Sequence, residues 1–359
     1  MSSSLPAGSP PSTLRSHAVP VSLPGFVVDH GDGVFAIDTG FQRDRFDAAW
    51  LVVDDGEAAF IDTGTALAVP RLLAALHGLG LGVDAVRYVI PTHVHLDHAG
   101  GVGTLMQQLP RAQVWVHPSG ARHLVDPSAL WQGALAVYGA DTMARDYGEL
   151  QPVPAERVSS THDGQRLVLG GRGLRVADTP GHARHHHCLF DERSRGWFTG
   201  DTFGIAYPEL QAAGRPFLFP TTTPVQFEPE AMQASIARLM AEQPARMYLT
   251  HYGCVEAPAT LAPALLARLD ETVAMARATA ARVAADAAAE TSGALEHALI
   301  AAMAALLRTQ AQAHGCALPP AEIDALLAGD AQLNGKGLAV WLQRGSRRPD
   351  HRIAGPSRA

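Results

Sequence analysis

The fold of this 359-residue chain is decided by the segment Thr92-His93-Val94-His95-Leu96-Asp97-His98-Ala99-Gly100-Gly101. Three histidines and one aspartate fall within six residues, directly after an apolar run that predicts a buried strand. Alternate residues of an extended chain point the same way, so His93 and His95 can converge on one metal ion. Asp97 and His98 lie where the chain turns into a predicted helix, and can face a second ion. Imidazole and carboxylate together suit zinc, and also iron or manganese.

Four further segments lie in order along the chain: Phe60-Ile61-Asp62-Thr63-Gly64, Thr179-Pro180-Gly181-His182, Thr199-Gly200-Asp201-Thr202 and Leu249-Thr250-His251-Tyr252-Gly253. Together with the segment at His93, they resemble the motifs of the metallo-β-lactamase superfamily, whose members carry an HxHxDH signature. The resemblance covers roughly residues 30–255. It implies an α/β fold, a four-layer αββα sandwich. An α-helical C-terminal extension follows that sandwich, as the Ala- and Leu-rich sequence beyond it indicates.

The resemblance also implies a metal centre with two divalent ions. Seven side chains are implied as ligands: His93, His95 and His182 for one ion, Asp97, His98 and His251 for the other, and Asp201 as the bridge. Zinc is the expected metal, with iron or manganese as alternatives. A water shared by two such ions loses a proton near neutral pH and becomes a nucleophile. Asp97 is the candidate catalytic residue, because it could take up the proton as the bond breaks.

Other polar residues near these motifs have simpler interpretations. Ile-Asp-Thr-Gly occurs twice, and we expect Asp62 to support the ligands and Asp38 to be a turn residue. We predict that His186 supports a ligand from behind the site. The remaining nearby histidines are predicted to be incidental to the site or to serve surface and packing roles: His185, His187, His117 and His123. Cys188 is predicted to pack within a buried strand.

The long segment 204–226 leaves directly from Asp201, and we expect it to overhang the site. Two interpretations of Phe217 and Phe219 stay open: an apolar wall of the site, or packing on the core. Trp131 and Tyr138 are weaker candidates for the same wall.

The composition of the sequence predicts how the chain is divided into segments, in which compartment it works and what it binds. We predict a disordered leader over 1–25, a catalytic domain over 26–258, a helical extension over 259–343 and a disordered tail over 344–359. The leader has no signal-peptide pattern, and no apolar stretch is long enough to span a membrane. Three scattered cysteines fit a reducing, cytoplasmic setting. A net charge of −7 offers no basic field for nucleic acid. The expected partner is a small-molecule substrate, and a homodimer is left open.

The resemblance leaves several reactions open, since one fold hosts many activities. The sequence shows no flavin domain, no basic arm for RNA and no export leader, which argues against flavodiiron oxidoreductases, RNA-processing nucleases and β-lactamases. The favoured function is a metallo-hydrolase of a small ester-like substrate, a thioester or a lactone, that uses a hydroxide held by the two metals. The alternatives are a mononuclear iron sulfur dioxygenase of the persulfide type, a phosphodiesterase or nuclease, and a non-enzymatic sensor. The complete ligand set argues against the sensor.

Overall fold

The structure, a computed structural model, describes residues 22–285 and 293–346. Within these residues, thirteen strands form two sheets. The first sheet runs in the order β1 to β7: β1 Val27–Asp29, β2 Val34–Asp38, β3 Ala48–Asp54, β4 Glu57–Ile61, β5 Val86–Ile90, β6 Gln113–Val116 and β7 Val158–Ser160. The second runs from β13 to β8: β8 Arg166–Leu169, β9 Arg172–Asp178, β10 His187–Asp191, β11 Gly196–Gly200, β12 Arg246–Leu249 and β13 Gly253–Glu256.

Each sheet is apolar on both faces, because each is covered on both sides. On β3, Trp50 faces the second sheet while Leu51 faces outward. This alternation with a period of two continues through β2 and β4. Between the sheets, Trp50 lies edge-on to Phe198 at 5.8 Å between ring centroids. The two sheets therefore pack face to face over an apolar core.

Helices cover both outer faces. The helices within the described residues are α1 Val69–Gly78, α2 Leu96–Ala99, α3 Val102–Gln108, α4 Pro118–Val125, α5 Ser128–Tyr138, α6 Ala140–Thr142, α7 Pro229–Ala241, α8 Pro258–Ala285, α9 Ala294–His314, α10 Pro320–Leu326 and α11 Ala328–Ser346. Helices α1, α3 and α4 pack on the first sheet. Helix α7 and the C-terminal helices share one hydrophobic cluster with the second sheet. The predicted αββα sandwich with a helical extension is confirmed.

The extension shares a core with the sandwich. Leu265 and Leu269 of α8 and Leu299 of α9 are buried in the same cluster as Trp197 of β11. The boundary predicted between 258 and 259 falls at the start of α8, which begins at Pro258. Burial on this scale makes the sheet and the extension one packed unit, since each covers apolar surface of the other.

Most predicted elements occur, with shifted ends. The sequence predicts a short helix over 100–109, which is α3, and another over about 334–343, which is the longer α11. The sequence also predicts that 119–150 is largely helical; this is confirmed by α4, α5 and α6, which a π-helical turn, Met143–Tyr147, follows. The short edge strands β1, β7 and β13 were not predicted, since three or four residues give little periodic signal.

Parts of three predictions lie outside the described residues. They are most of the leader over 1–25, most of the tail over 344–359 and the end of a helix that the Ala- and Leu-rich sequence predicts over about 260–289. Among the residues that are described, none of the helices combines the length and the apolar character that a membrane span requires.

Candidate metal centre

The predicted ligands meet at one edge of the two sheets. His93 follows β5, Asp201 follows β11 and His251 follows β12, each just past the carboxyl end of its strand. His182 lies in the loop after β9, and His95 immediately precedes α2. Because these strand ends face the same edge, residues more than 150 positions apart come together. All seven predicted ligand side chains lie in this one cluster.

Three histidines form the first group. His93 Nε2 lies 2.8 Å from His95 Nδ1, and His95 Nδ1 lies 3.0 Å from His182 Nε2. Donor atoms of these three residues lie within 4.8 Å of one another. Three imidazoles that converge in this way can bind a divalent metal ion.

Asp97, His98 and His251 form the second group. His251 Nε2 lies 3.4 Å from Asp97 Oδ2, and His98 Nε2 lies 3.9 Å from Asp97 Oδ1. Their donor atoms also fall within 4.8 Å of one another. The group offers two imidazoles and one carboxylate, which suit a divalent cation.

Asp201 faces both groups. Its Oδ1 lies 3.2 Å from His98 Nε2 and 3.7 Å from His251 Nε2, while its Oδ2 lies 3.3 Å from His182 Nε2. One carboxylate oxygen is thus directed to each group, as the bridging role requires.

His98 Nε2 and Asp201 Oδ1 are buried and lie 3.2 Å apart without hydrogen-bond geometry, and within the described part of the chain neither atom has a hydrogen-bond partner. A buried polar atom without a partner is costly, so it needs a partner from outside the chain. Both atoms face the middle of the cluster, where a cation would satisfy them. The residues present therefore fit a metal centre.

The electrostatics of the two groups differ. Burial lowers the pKa of His95 to about 3 and that of His182 to about 4, which keeps both rings neutral and able to bind metal. Burial would also lower the pKa of His251, yet the carboxylates of Asp201 and Asp97 outweigh it and raise this pKa to about 9. The second group therefore has the stronger attraction for positive charge.

Asp62 supports His98, as predicted. His98 Nδ1 donates to Asp62 Oδ2 at 2.8 Å, which leaves Nε2 for the cluster. The backbone N–H of Thr92 and the hydroxyl of Thr250 each donate to the same carboxylate at 2.7 Å. Asp62 is fully buried and has a φ of 56°, a left-handed conformation that few non-glycine residues adopt. It ties β4, β5 and β12 together behind the ligand.

Asp38, predicted to be a turn residue, is instead the last residue of β2, and its side chain stabilises the turn that follows. Its two carboxylate oxygens accept hydrogen bonds from the backbone N–H groups of Gly40 and Arg45, each at 2.9 Å. His186 lies behind Asp201, and its Nε2 accepts from the Asp201 N–H at 3.2 Å. The prediction that His186 supports a ligand is therefore consistent with its position.

Two further ligand histidines are each held by an uncharged hydrogen-bond partner, which we call a neutral anchor, and neither anchor was predicted. His182 Nδ1 lies 2.6 Å from the hydroxyl of Thr221, and His251 Nδ1 donates to the carbonyl of Phe46 at 3.0 Å. Each anchor fixes the ring with Nε2 toward the cluster, a common arrangement around metal ligands. The Thr221-Thr222-Thr223 run was the only available sequence signal for the first anchor. A backbone carbonyl such as that of Phe46 leaves no signal.

Other predictions near the site have mixed outcomes. His187 is a buried structural residue whose Nε2 donates to the Pro91 carbonyl at 3.0 Å. His185 and His123 were predicted to be incidental or to have packing roles, but both line the cavity beside the cluster. Burial raises the pKa of Cys188 to about 12, which fits its predicted packing role.

A cavity of about 310 Å³ opens beside His95, Asp97 and Asp201. Residues 223–226 border it, so the segment that follows Asp201 does overhang the site. Phe217 and Phe219 are fully buried, so they pack on the core and do not form a wall of the site. Tyr138 lines the cavity, whereas Trp131 lines a larger surface depression of about 640 Å³ that contacts none of the seven predicted ligands.

A sequence model of the metallo-beta-lactamase superfamily matches residues 42–251, more than half of the chain. That span contains all seven predicted ligands. The chain belongs to the metallo-beta-lactamase superfamily. The resemblance that the five short motifs predicted is thereby confirmed.

Two curated members of the superfamily show the level of similarity. Acyl-coenzyme A thioesterase MBLAC2 of Homo sapiens is 30% identical over 183 residues, which is 48% of this chain and 63% of the relative. Hydroxyacylglutathione hydrolase of Cupriavidus taiwanensis is 32% identical over 206 residues, 56% of this chain and 61% of the relative. This chain thus spans less than two thirds of the length of either relative.

Two solved structures share the fold. A metallo-beta-lactamase superfamily protein from Sulfolobus tokodaii has a TM-score of 0.55 at 24% identity, covering 67% of this chain and 86% of that one. A metallo-beta-lactamase family protein from Thermus thermophilus has a TM-score of 0.54 at 19% identity, covering 88% and 94%. The match to the second structure covers 88% of this chain, which is more residues than precede α8. It therefore includes part of the helical extension.

Proposed function

We propose that this chain is a metal-dependent hydrolase of a small ester-like substrate, a thioester or a lactone. One observation carries the proposal: seven donor side chains form two adjoining groups that share Asp201, and the cluster opens directly onto a cavity of about 310 Å³. A cavity of this size suits a small molecule. The net charge of −7 gives no support to a nucleic-acid substrate.

The roles proposed for the side chains follow from their positions. His93, His95 and His182 would hold one divalent ion, and Asp97, His98 and His251 the other, with Asp201 between them. Two such ions, zinc above all, lower the pKa of a bound water and polarise a carbonyl group. Asp62, Thr221 and His186 hold the ligand rings and the Asp201 backbone in place.

Asp97 is proposed as the proton acceptor. Its side chain is 27% exposed, whereas that of Asp201 is 7% exposed, and it lines the cavity. Burial disfavours the charged carboxylate, but the nearby His98 and His251 outweigh this and hold the pKa of Asp97 below its ordinary value. Asp97 is therefore ionised at neutral pH, which is the state that a proton acceptor must be in.

The relatives support this class of reaction. One is named as an acyl-coenzyme A thioesterase and another as a hydroxyacylglutathione hydrolase, and both activities cleave a thioester. The similarity covers the segment that contains the seven predicted ligands. It supports a thioester more directly than a lactone.

The test is metal content combined with activity. We expect about two divalent ions per chain by elemental analysis of the purified protein. We expect hydrolysis of thioesters or lactones to disappear after chelation and return when zinc is added. One iron per chain with oxygen-dependent turnover would instead establish the sulfur dioxygenase. Activity restricted to phosphodiesters would establish the phosphodiesterase.

A further inference from the structure

The cavity beside the cluster has an apolar side formed by parts of the chain that carry no predicted ligand. Leu130, Ala134 and Val137 of α5 line it, and Leu333 of α11 lines it from the C-terminal extension. Val225 of the overhanging segment completes this side. We refer to these five residues as the apolar wall. His95, Asp97 and Asp201 line the same cavity, so a bound molecule could contact the wall and the metal ligands at once.

The apolar wall reaches the protein surface. Val137 is 43% exposed and Val225 is 58% exposed, and they are among the few large hydrophobic side chains that the described residues expose. A single exposed valine needs no explanation, but exposed apolar residues that share one concave mouth indicate a binding site for an apolar group.

The volume of the cavity limits how much of a bound molecule it can enclose. The cavity of about 310 Å³ equals the liquid volume of about ten water molecules, at about 30 Å³ each. A group of about eight to ten non-hydrogen atoms would fill it. This size corresponds to a medium-length acyl chain and is smaller than a whole coenzyme A or glutathione conjugate.

The apolar character of the wall decides which part of a thioester lies along it. The attacked carbonyl must lie beside Asp97 and Asp201, so either the acyl side or the thiol side points along the apolar wall. Thiols such as glutathione and coenzyme A carry charged and amide groups, and burying these against the apolar wall, whose aliphatic side chains offer no hydrogen-bond partner, is costly. An aliphatic acyl chain gains from burial, by about 0.8 kcal/mol per methylene group.

We infer that the apolar wall is the acyl-binding site of this enzyme, and that it selects thioesters with an unbranched aliphatic acyl group of medium length. Ala134 and Leu333 set how much of the chain is accepted, one from α5 and one from α11. The inference rests on the proposed thioester hydrolysis and specifies its substrate class. It also gives the C-terminal extension a direct part in substrate recognition.

The test uses the full-length, zinc-loaded protein with butanoyl, octanoyl and hexadecanoyl thioesters of the same thiol. We expect kcat/KM to rise about threefold to fourfold per added methylene up to the octanoyl ester, and then to stop rising. Ala134→Phe should fill the cavity and lower kcat/KM for the octanoyl ester at least tenfold, while the butanoyl ester changes little. Ala136→Phe, at an exposed position of the same helix, should leave the profile unchanged.

Leu333→Ala should act in the opposite direction, because it enlarges the cavity. We expect the preference to shift toward the hexadecanoyl ester, with Gln332→Ala as the exposed control on α11. This second variant keeps the test decisive if Ala134→Phe fails to fold. A flat chain-length profile that neither variant changes would overturn the acyl site.

Binding of octanoate, measured by calorimetry, separates this inference from the proposed function. If no ester is hydrolysed but octanoate binds and Ala134→Phe abolishes binding, the acyl site stands and the thioesterase is wrong. If thioesters are hydrolysed but octanoate does not bind and chain length has no effect, the thioesterase stands and the acyl site is wrong.

Discussion

His98 and His182 each present Nε2 to the centre and anchor Nδ1 behind it, but their anchors differ in kind. His98 is held by the carboxylate of Asp62, which is fully buried and bound to Thr92 and Thr250 at the strand ends. His182 is held by the neutral hydroxyl of Thr221, in a loop. One side of the centre is therefore supported by a charged group within the sheets, the other by a loop outside them.

The loop at Thr221 is in turn held by the C-terminal extension. The Thr222 N–H donates to the Asn334 side chain, and the Thr222 hydroxyl donates to the Asn334 carbonyl at 3.1 Å. Gly337 allows α11 to approach closely, since a Cβ there would collide with the Thr222 carbonyl. The anchor of His98 therefore lies within the sandwich, whereas the anchor of His182 depends on α11 as well.

Asp201→Ala should have the largest effect on metal binding and activity, because the Asp201 carboxylate faces both groups of ligands. Its loss leaves two cations without their shared carboxylate. We expect at least one metal ion to be lost and hydrolysis to fall by about 100-fold or more. Elemental analysis and kcat/KM are the measurements, with Asp38→Ala as the control carboxylate outside the centre. A variant that retains two metal ions and full activity would remove Asp201 from the ligand set.

Asp62→Ala should weaken the His98 side selectively. It removes the acceptor for His98 Nδ1 and leaves the Thr92 and Thr250 donors unsatisfied, so metal affinity should fall by about 10-fold to 100-fold. Competition with a chelator measures this. Asp62→Asn keeps the size of the side chain and tests the charge. If Asp38→Ala strips metal and Asp62→Ala does not, the assignment of the two aspartates is reversed.

Thr221→Val should have a smaller effect on the His182 side. It replaces a neutral acceptor by a methyl group of similar size, and a buried donor without a partner costs about 1–3 kcal/mol. We expect a loss of metal affinity of about tenfold, measured by chelator competition, and Thr221→Ser should restore it. A loss of metal affinity as large as that of Asp62→Ala would show that the two anchors contribute equally to metal binding.

Asn334→Ala should have the smallest effect on the metal, since it acts through Thr222 and Thr221. We expect metal affinity to fall a few-fold, together with a higher KM, because the same loop borders the cavity. Gln332→Ala is the exposed control on the same helix. If Asn334→Ala lowers thermal stability but leaves both metal affinity and KM unchanged, α11 is only a structural support.

The sequence determined the parts of the site that are local. His93, His95, Asp97 and His98 lie within one strand-to-helix turn, so their relative positions follow from backbone geometry alone. The order of layers also follows from the alternation of apolar residues, as on β3, and from the helical spacing in α7. The family motifs added His182, Asp201 and His251, which no local pattern connects.

Only the tertiary structure decided what stands behind and beside those ligands. Thr221 meets His182 across 39 positions, and the Phe46 carbonyl meets His251 across 205. Leu333 reaches the cavity from a helix whose sequence contains no predicted ligand. Threonine, leucine and backbone carbonyls occur throughout the chain, and their role depends on which groups the packing of the two sheets and the extension brings within contact distance. That packing is set by the burial of apolar surface over the whole molecule, so no short stretch of sequence encodes it.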